Sequence, residues 1–111
     1  MDGMTDAGRI VRRAKNEALF REINERLQRL NDDFGTSEWL CECSDLECVG
    51  RIEMTDAEYE SVRQHGAHFA LLVGHEQIDL ERVVVRHGNY VIAEKIGIGG
   101  ELAMLRDPRR A

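Results

Sequence analysis

The first third of the chain repeats apolar residues at the spacing of a helix. From about residue 7 to residue 33 it contains no proline and is rich in strong helix formers. Five apolar residues recur three or four positions apart: Phe20, Ile23, Leu27, Leu30 and Phe34. Side chains with this spacing share one face of a helix. The pattern predicts a long amphipathic helix over residues 7–34, packed on the rest of the domain through this stripe, after a disordered segment at residues 1–6.

Strand-like segments replace the helical pattern after residue 50. Residues 51–54 alternate polar and apolar side chains, and residues 69–73 form a short apolar run. Residues 81–86 and 90–95 are rich in β-branched side chains and flank His87-Gly88-Asn89. Because glycine and asparagine tolerate the positive φ angles of tight turns, these last two segments are predicted to form a β-hairpin.

A second, shorter helix is predicted between the first two of these segments. Thr55 and Glu58 have the spacing of a capping box, and the helix they start continues to about Gln64. Residues 97–100 are predicted to be a flexible break, followed by a last helical turn at 101–106 and a mobile tail.

The elements together predict one α+β domain. A long N-terminal helix and a shorter second helix pack on a small, mainly antiparallel sheet. Residues 35–96 form the cysteine-containing loop and the α/β core, and residues 97–111 form a C-terminal extension.

All three cysteines lie where the helical pattern gives way to the strand pattern. In an extended segment, side chains two residues apart point the same way, so Cys41 and Cys43 can reach one ion while Glu42 points to water. The turn-rich residues that follow would bring Cys48 back beside them. Structural zinc is bound by four ligands in a tetrahedron, and thiolates are among its preferred ligands. The segment therefore predicts three ligands of a zinc-knuckle-like site.

The fourth ligand must be sought among the histidines, since no cysteine remains. His75 is favoured because Gly74 permits a sharp exit from the preceding strand and leaves the imidazole at the strand end. His68, at the start of that strand, is the second choice. His65 suits the end of the second helix, and His87 suits an exposed hairpin turn. The predicted ligands of one structural zinc ion are Cys41, Cys43, Cys48 and His75.

Two other uses of the cysteines stay open at this stage. They can be free thiols, one of them reactive, or they can form a disulfide. A disulfide would leave one thiol unpaired because the number of cysteines is odd. The Cys-x-x-Cys spacing of thioredoxin-like redox sites does not occur.

Length and charge narrow the choice of partner. A chain of 111 residues forms one domain with a modest core, and its formal net charge is −6. Residues 1–34 carry seven acidic and seven basic residues, whereas residues 35–111 carry fourteen and eight. An acidic module repels phosphate backbones, which disfavours nucleic acid as a partner. The basic residues near the start of the long helix keep that alternative open: Arg9, Arg12, Arg13 and Lys15.

The cellular location is predicted from two patterns that the sequence lacks. No apolar run approaches the roughly 20 residues that a membrane-spanning helix needs. The first residues also lack the basic start and apolar stretch of a signal peptide. We therefore expect no membrane partner and a cytoplasmic protein with reduced thiols.

Five sequence segments, taken in their order along the chain, carry a resemblance to other proteins. They are Asn16–Arg26, Cys41-Glu42-Cys43 with Cys48, Glu58–Arg63, Gly74-His75-Glu76 and Glu81–Val84. In this order the chain resembles a family of small uncharacterised bacterial proteins over roughly residues 12–96. In that family the Cys-x-Cys-x4-Cys and Gly-His-Glu elements occur together, so the resemblance implies that both elements supply ligands and assigns no catalytic residue. The chain departs from the family at Ser44, where relatives tend to have glycine, and at Val73, where they tend to have proline.

The leading functional hypothesis is a non-enzymatic, zinc-stabilised module that binds another protein in a regulatory setting. A helix of about 25 residues is roughly 37 Å long, so the N-terminal helix extends beyond a small sheet, which leaves part of it open to a second copy of the chain. One alternative is a nucleic-acid-binding regulator that uses the basic start of this helix. Another is an enzyme or redox sensor that uses the thiolate of Cys48 or Cys41 near a histidine, or a zinc enzyme with three cysteine ligands, a bound water and Glu42, Glu47 or Glu76 as a base.

Overall fold

The computed structural model describes residues 6–31, 36–43, 45, 47–77 and 79–109, which contain three helices and five strands. The helices are α1 (Asp6–Asn31), α2 (Asp56–Arg63) and α3 (Gly97–Leu105). The strands are β1 (Thr36–Leu40), β2 (Arg51–Thr55), β3 (His68–Leu72), β4 (Glu81–His87) and β5 (Tyr90–Lys95). The predicted α+β class is confirmed. Within the described ranges, no helix combines the length and apolarity needed to cross a membrane.

The strands form two antiparallel sheets that share one core. β1 and β2 make a two-stranded ribbon, and β5 lies between β3 and β4 in a three-stranded sheet. Trp39 and Ile52 from the ribbon and Phe69 and Val91 from the larger sheet are buried in the same apolar cluster. The core therefore joins the two sheets, and the cysteine segment lies at their junction.

Two local sequence signals, a capping box and a hairpin turn, form the structures predicted from them. The Thr55 hydroxyl accepts from the Glu58 N–H at 3.0 Å, and the Glu58 carboxylate accepts from the Thr55 N–H at 2.8 Å, which completes the capping box of α2. The β4–β5 hairpin turns at Gly88, whose φ of +60° lies in the left-handed region that glycine tolerates. Strand β1 was not predicted, because its short and mainly polar sequence has no clear strand pattern. Pairing with β2 stabilises it.

The predicted apolar stripe of α1 is only partly buried. Leu27 packs against the core, but Phe20 and Ile23 are only half-buried, and the neighbouring Leu19 is 48% exposed. The predictions for the side chains of Leu30 and Phe34 lie outside the described residues. The buried positions of α1 lie on a different and mainly polar face: Ala14, Glu17, Arg21, Asn24 and Glu25.

The polar face of α1 is buried because it finds tertiary hydrogen bonds. The Arg21 guanidinium donates to the carbonyl oxygens of Gly66 and Ala103, near the ends of α2 and α3. It also lies over the Phe69 ring, with its central carbon 4.7 Å from the ring centroid. A buried carbonyl without a hydrogen bond costs free energy. The face of α1 that carries Arg21 packs inward because Arg21 supplies the hydrogen bonds that these two carbonyls need.

Three ionisable side chains, from α1, β4 and β5, meet in the protein interior. The Lys95 ammonium lies 3.0 Å from a Glu17 oxygen and 3.2 Å from a Glu81 oxygen, and each of the three side chains is at most 2% exposed. Two carboxylates thus share one cation. Burial raises the pKa of Glu17 to about 8, and the neighbouring Glu81 also raises it, against the opposing effect of Lys95.

The buried Glu17 makes stability depend on pH. Its folded pKa lies above the unfolded value of 4.5, so near pH 7 the native state holds a proton that the unfolded state has released. The free energy of unfolding should therefore decrease as pH rises between these two values, by up to about 1.4 kcal/mol per pH unit. Glu17→Gln should remove this slope in urea titrations, whereas Glu22→Gln, at an exposed position of α1, should keep it. Equal slopes in both variants would contradict the assignment.

The C-terminal part is more ordered than predicted. The supposed flexible break at residues 97–100 forms the start of α3, where Gly100 lies so close to Lys95 that an added Cβ would be 2.6 Å from its carbonyl oxygen. The supposed mobile tail is fixed at Arg109, whose guanidinium donates to Glu25 at 2.7 and 2.8 Å and to Glu60 at 2.6 Å. The predictions for residues 110 and 111 lie outside the described residues.

Candidate metal centre

The β1–β2 ribbon positions the first two cysteines. Its ladder continues one step beyond β1, because the Cys41 N–H donates to the Gly50 carbonyl at 3.2 Å. The chain then crosses to the free edge of β3, where the Glu42 N–H donates to the Ala70 carbonyl at 2.8 Å. Both Cys41 and Cys43 are buried on either side of this crossing. The segment is therefore extended and pinned at both sheets.

Two turns bring in the other side chains. The Cys48 N–H donates to the Asp45 carbonyl at 3.0 Å, and the Asp45 carboxylate accepts from the Glu47 N–H at 2.9 Å. After β3, the His75 N–H donates to the Leu72 carbonyl at 3.0 Å, and Gly74 has a φ of +90°. A positive φ at the third position is characteristic of a type II turn and explains the glycine there.

The structure brings the four predicted ligands together. The three sulfur atoms and one ring nitrogen of His75 all lie within 4.8 Å of one another. His75 Nδ1 is 3.5 Å from the sulfur of Cys41 and 3.6 Å from that of Cys48. Cys41 and Cys43 are buried, while Cys48 and His75 are half-buried. This Cys3His cluster can hold a metal ion.

Backbone amides point at two of the three sulfur atoms. Cys41 Sγ accepts from the Leu72 N–H at 3.2 Å, and Cys48 Sγ accepts from the Gly50 N–H at 3.4 Å. The backbone of Asp45 lowers the pKa of the third thiol, Cys43. Hydrogen bonds to the charged form of an acid favour that form, so these amides stabilise thiolates, which are the species that bind metals.

The thiols affect one another's protonation. The hydrogen bond from Cys41 is the main cause that lowers the pKa of Cys43 to about 5, and His75 contributes in the same direction. The same contact with Cys43 is the main cause that raises the pKa of Cys41, and burial raises the pKa of Cys48. One thiolate is thus favoured among three sulfur atoms. A dication would have to displace the remaining protons, so its affinity should weaken as pH falls.

The prediction that Glu42 points to water is wrong. Its side chain is 0% exposed and lies in the core. One carboxylate oxygen accepts from Asn24 at 2.8 Å and from the Tyr59 hydroxyl at 2.9 Å, and the other accepts from the Ala70 N–H at 3.0 Å. Burial raises the pKa of Glu42, while these three hydrogen bonds act against that increase. Strand alternation correctly places Glu42 on the face opposite to that of the two cysteines. It cannot show that the face carrying Glu42 is turned toward the protein interior.

The second-choice ligand, His68, belongs to a different group. Its ring stacks on that of His65 with centroids 4.2 Å apart, and the two Nε2 atoms lie 3.5 and 3.4 Å from one Glu94 oxygen. The three residues are close enough together to be considered as metal ligands.

The hydrogen bonding of that group opposes metal binding. His65 Nδ1 accepts from the Ala67 N–H at 3.1 Å, so the neutral ring carries its proton on Nε2, the atom that would have to bind the ion. The two rings are also nearly parallel, at 11°, so their in-plane lone pairs do not converge on one point. In the Cys3His cluster, by contrast, His75 presents Nδ1 to the sulfur atoms and the proton of its neutral ring can reside on Nε2.

The chain matches no protein-family model, and neither a curated protein nor a solved structure is significantly similar to it. The resemblance to small bacterial proteins therefore stays a prediction. The function must be argued from the geometry of the Cys3His cluster.

Proposed function

We propose that this protein is a small zinc-binding module in which one zinc ion, bound by the Cys3His cluster, is structural. The single observation that carries the proposal is the spacing of the ligand atoms. A tetrahedral ion with Zn–S bonds of about 2.3 Å and Zn–N bonds of about 2.0–2.1 Å separates sulfur from nitrogen by about 3.5–3.6 Å. The two sulfur–nitrogen distances from His75 are 3.5 and 3.6 Å.

A structural role is supported by where the ligands come from. Cys41 follows β1, Cys48 precedes β2 and His75 follows β3, so one ion would tie the ribbon to the end of the larger sheet. Four protein ligands fill a tetrahedron and leave no position for a water molecule, in contrast to catalytic zinc sites. The proposed module is therefore non-enzymatic, and the ion acts as a cross-link.

Cobalt substitution tests the ligand set. Co2+ bound by three thiolates and one imidazole should give the visible and charge-transfer absorption of a tetrahedral thiolate site. His75→Ala should weaken Co2+ binding by at least about tenfold and change the spectrum. The matched control His68→Ala should leave both unchanged. Retention of the original spectrum and affinity in His75→Ala would show that His75 is not a ligand.

We further propose that the module acts by binding another protein, with a second copy of the chain as the first partner to test. The support is the outward position of apolar side chains on two helices: Leu19 is 48% exposed, Met104 is 48% exposed and Leu105 is 61% exposed. Exposed apolar groups of this kind favour protein contacts more than nucleic-acid contacts.

Sedimentation equilibrium of the zinc-loaded protein tests the self-association. We expect a concentration-dependent dimer that Leu19→Glu weakens at least about tenfold, because a buried unpaired charge is costly at an interface. Val84→Glu, at an exposed apolar position of β4 rather than α1, is the control and should leave the dimer intact. A monomer at all concentrations would exclude the homodimer and direct the search to other proteins.

A reactive-thiolate function is the second candidate, because the neighbouring Cys41 and His75 lower the pKa of Cys43 to about 5. Cys43 is only 4% exposed, however, so reagents have poor access to its sulfur. We expect slow alkylation by iodoacetamide in the zinc-loaded protein, and faster alkylation after chelation, which frees the sulfur atoms, including that of the half-buried Cys48, from the ion. Rapid alkylation of the loaded protein near neutral pH would favour the enzyme or sensor instead.

A further inference from the structure

Asn24 connects α1 to both sides of Cys41. Its side-chain oxygen accepts from the Leu40 N–H at 2.8 Å, and its side-chain nitrogen donates to the Leu40 carbonyl at 2.9 Å and to the Glu42 carboxylate at 2.8 Å. Asn24 is 0% exposed. One buried side chain from the middle of a helix thus fixes the residues immediately before and after a predicted ligand.

Glu42 extends this connection to the larger sheet. Its backbone N–H donates to the Ala70 carbonyl while its carboxylate accepts from the Ala70 N–H, so both polar groups of one β3 residue are satisfied by Glu42. The same carboxylate accepts hydrogen bonds from the Asn24 side chain and the Tyr59 hydroxyl. A segment held from α1, α2 and β3 has little freedom to change the spacing of Cys41 and Cys43.

We infer that Asn24 and Glu42 are positioning residues of the metal centre and that they couple metal binding to the docking of α1. This inference rests on the proposed zinc site. Coupling between two events is reciprocal, so if α1 docking preorganises the cysteines, zinc binding must strengthen α1 docking to the same extent. Zinc occupancy thereby regulates how firmly α1 is held against the ribbon.

The way α1 packs makes it suited to such control. Apart from Ala14 and the half-buried Leu27, its inward face relies on polar contacts of Glu17, Arg21 and Asn24, while Leu19 points outward. Polar contacts depend strongly on geometry, so a small displacement of residues 40–42 weakens them more than it would weaken apolar packing. The contacts of Glu17 and Arg21 lie elsewhere, so we expect loss of zinc to loosen the part of α1 near Asn24 and not the whole helix.

Metal affinity and hydrogen exchange together test the coupling. Zinc dissociation constants would be measured by competition with a chromophoric chelator, at a temperature where every variant is folded. Asn24→Ala should raise the dissociation constant about 10–100-fold, as expected for loss of a group that orients metal ligands. Glu42→Gln keeps the shape of the side chain and one of its two acceptor oxygens, so it should raise the dissociation constant less. It also provides a test if Asn24→Ala fails to fold. In the wild type, chelation should speed amide exchange near Asn24.

Gln28→Ala is the matched control on the same helix. Gln28 bonds to Glu60 and Arg109, away from the cysteine segment, so its loss should lower stability and leave zinc affinity within about twofold. If the wild type binds zinc and both Asn24→Ala and Glu42→Gln bind it with the wild-type affinity, the coupling is overturned and the zinc site still stands. Absence of zinc binding in the wild type would instead overturn the proposed function itself.

Discussion

Replacing Cys48 by serine is expected to abolish stoichiometric zinc binding and to lower the free energy of unfolding by about 4 kcal/mol when free zinc is about a thousand times the wild-type dissociation constant. Cys48 is half-buried, so serine at this position loses little packing and the effect reports mainly on the lost ligand. A structural metal contributes its binding free energy to folding because the unfolded chain lacks the assembled site. Urea unfolding with and without added zinc measures the difference.

Chelation provides the internal control for that variant. The wild type should lose stability on chelation until it approaches the variant, whereas Cys48→Ser should not respond. A Cys48→Ser protein that retained one zinc ion and the wild-type midpoint would show that Cys48 is not a ligand.

Replacing Trp39 by alanine is expected to cost about 3–5 kcal/mol, the range for removing a large aromatic side chain from a core. Trp39 is 0% exposed, stacks on Tyr59 with ring centroids 4.2 Å apart, and donates its indole N–H to the Met54 carbonyl at 3.0 Å. Loss of the Trp39 side chain leaves a cavity next to the ring of Tyr59, whose hydroxyl donates to the Glu42 carboxylate. Equilibrium unfolding in urea would measure the change.

Trp39→Phe separates the two contributions. It keeps an aromatic ring on Tyr59 but removes the indole N–H bond to the Met54 carbonyl, so we expect a loss of about 1–2 kcal/mol. If both variants were as stable as the wild type, Trp39 would not be part of the core that joins the ribbon to α2.

Local chemistry explains which parts of this fold were predictable. The capping box at Thr55 and the turn at Gly88 specify their structures within a few residues, and both formed as predicted. The alternation around Glu42 also fixed which side chains oppose one another. These signals depend on backbone geometry near each residue and need no knowledge of the tertiary fold.

The errors arose where tertiary contacts outweigh local pattern. Arg21 and Asn24 look like solvent-facing helix residues, but backbone carbonyls and the Glu42 carboxylate far along the chain make them the inward face of α1. Arg109 looks like a mobile tail residue, but Glu25 and Glu60 fix it. An apolar periodicity identifies a helix reliably, whereas the choice of buried face depends on partners that lie elsewhere in the chain.

The cysteine cluster was predictable in part for a physical reason. The Cys-x-Cys spacing places two sulfur atoms on one side of an extended segment, and the following turn returns the third. The distance from these sulfur atoms to a particular histidine depends on how β3 packs beside the ribbon, which spacing alone does not determine. The hydrogen bonds that link the site to α1 were not predictable for the same reason.

Metal content and thermal stability of the same sample test the zinc proposal most directly. Untagged protein, purified without chelator, would be assayed by elemental mass spectrometry and melted before and after chelation. We expect about one zinc ion per chain and, for a change of about 4 kcal/mol in a domain of this size, a fall in Tm of at least about 15 °C on chelation. Protein without bound metal, whose Tm is unchanged by chelator or by added zinc, would contradict the structural zinc site.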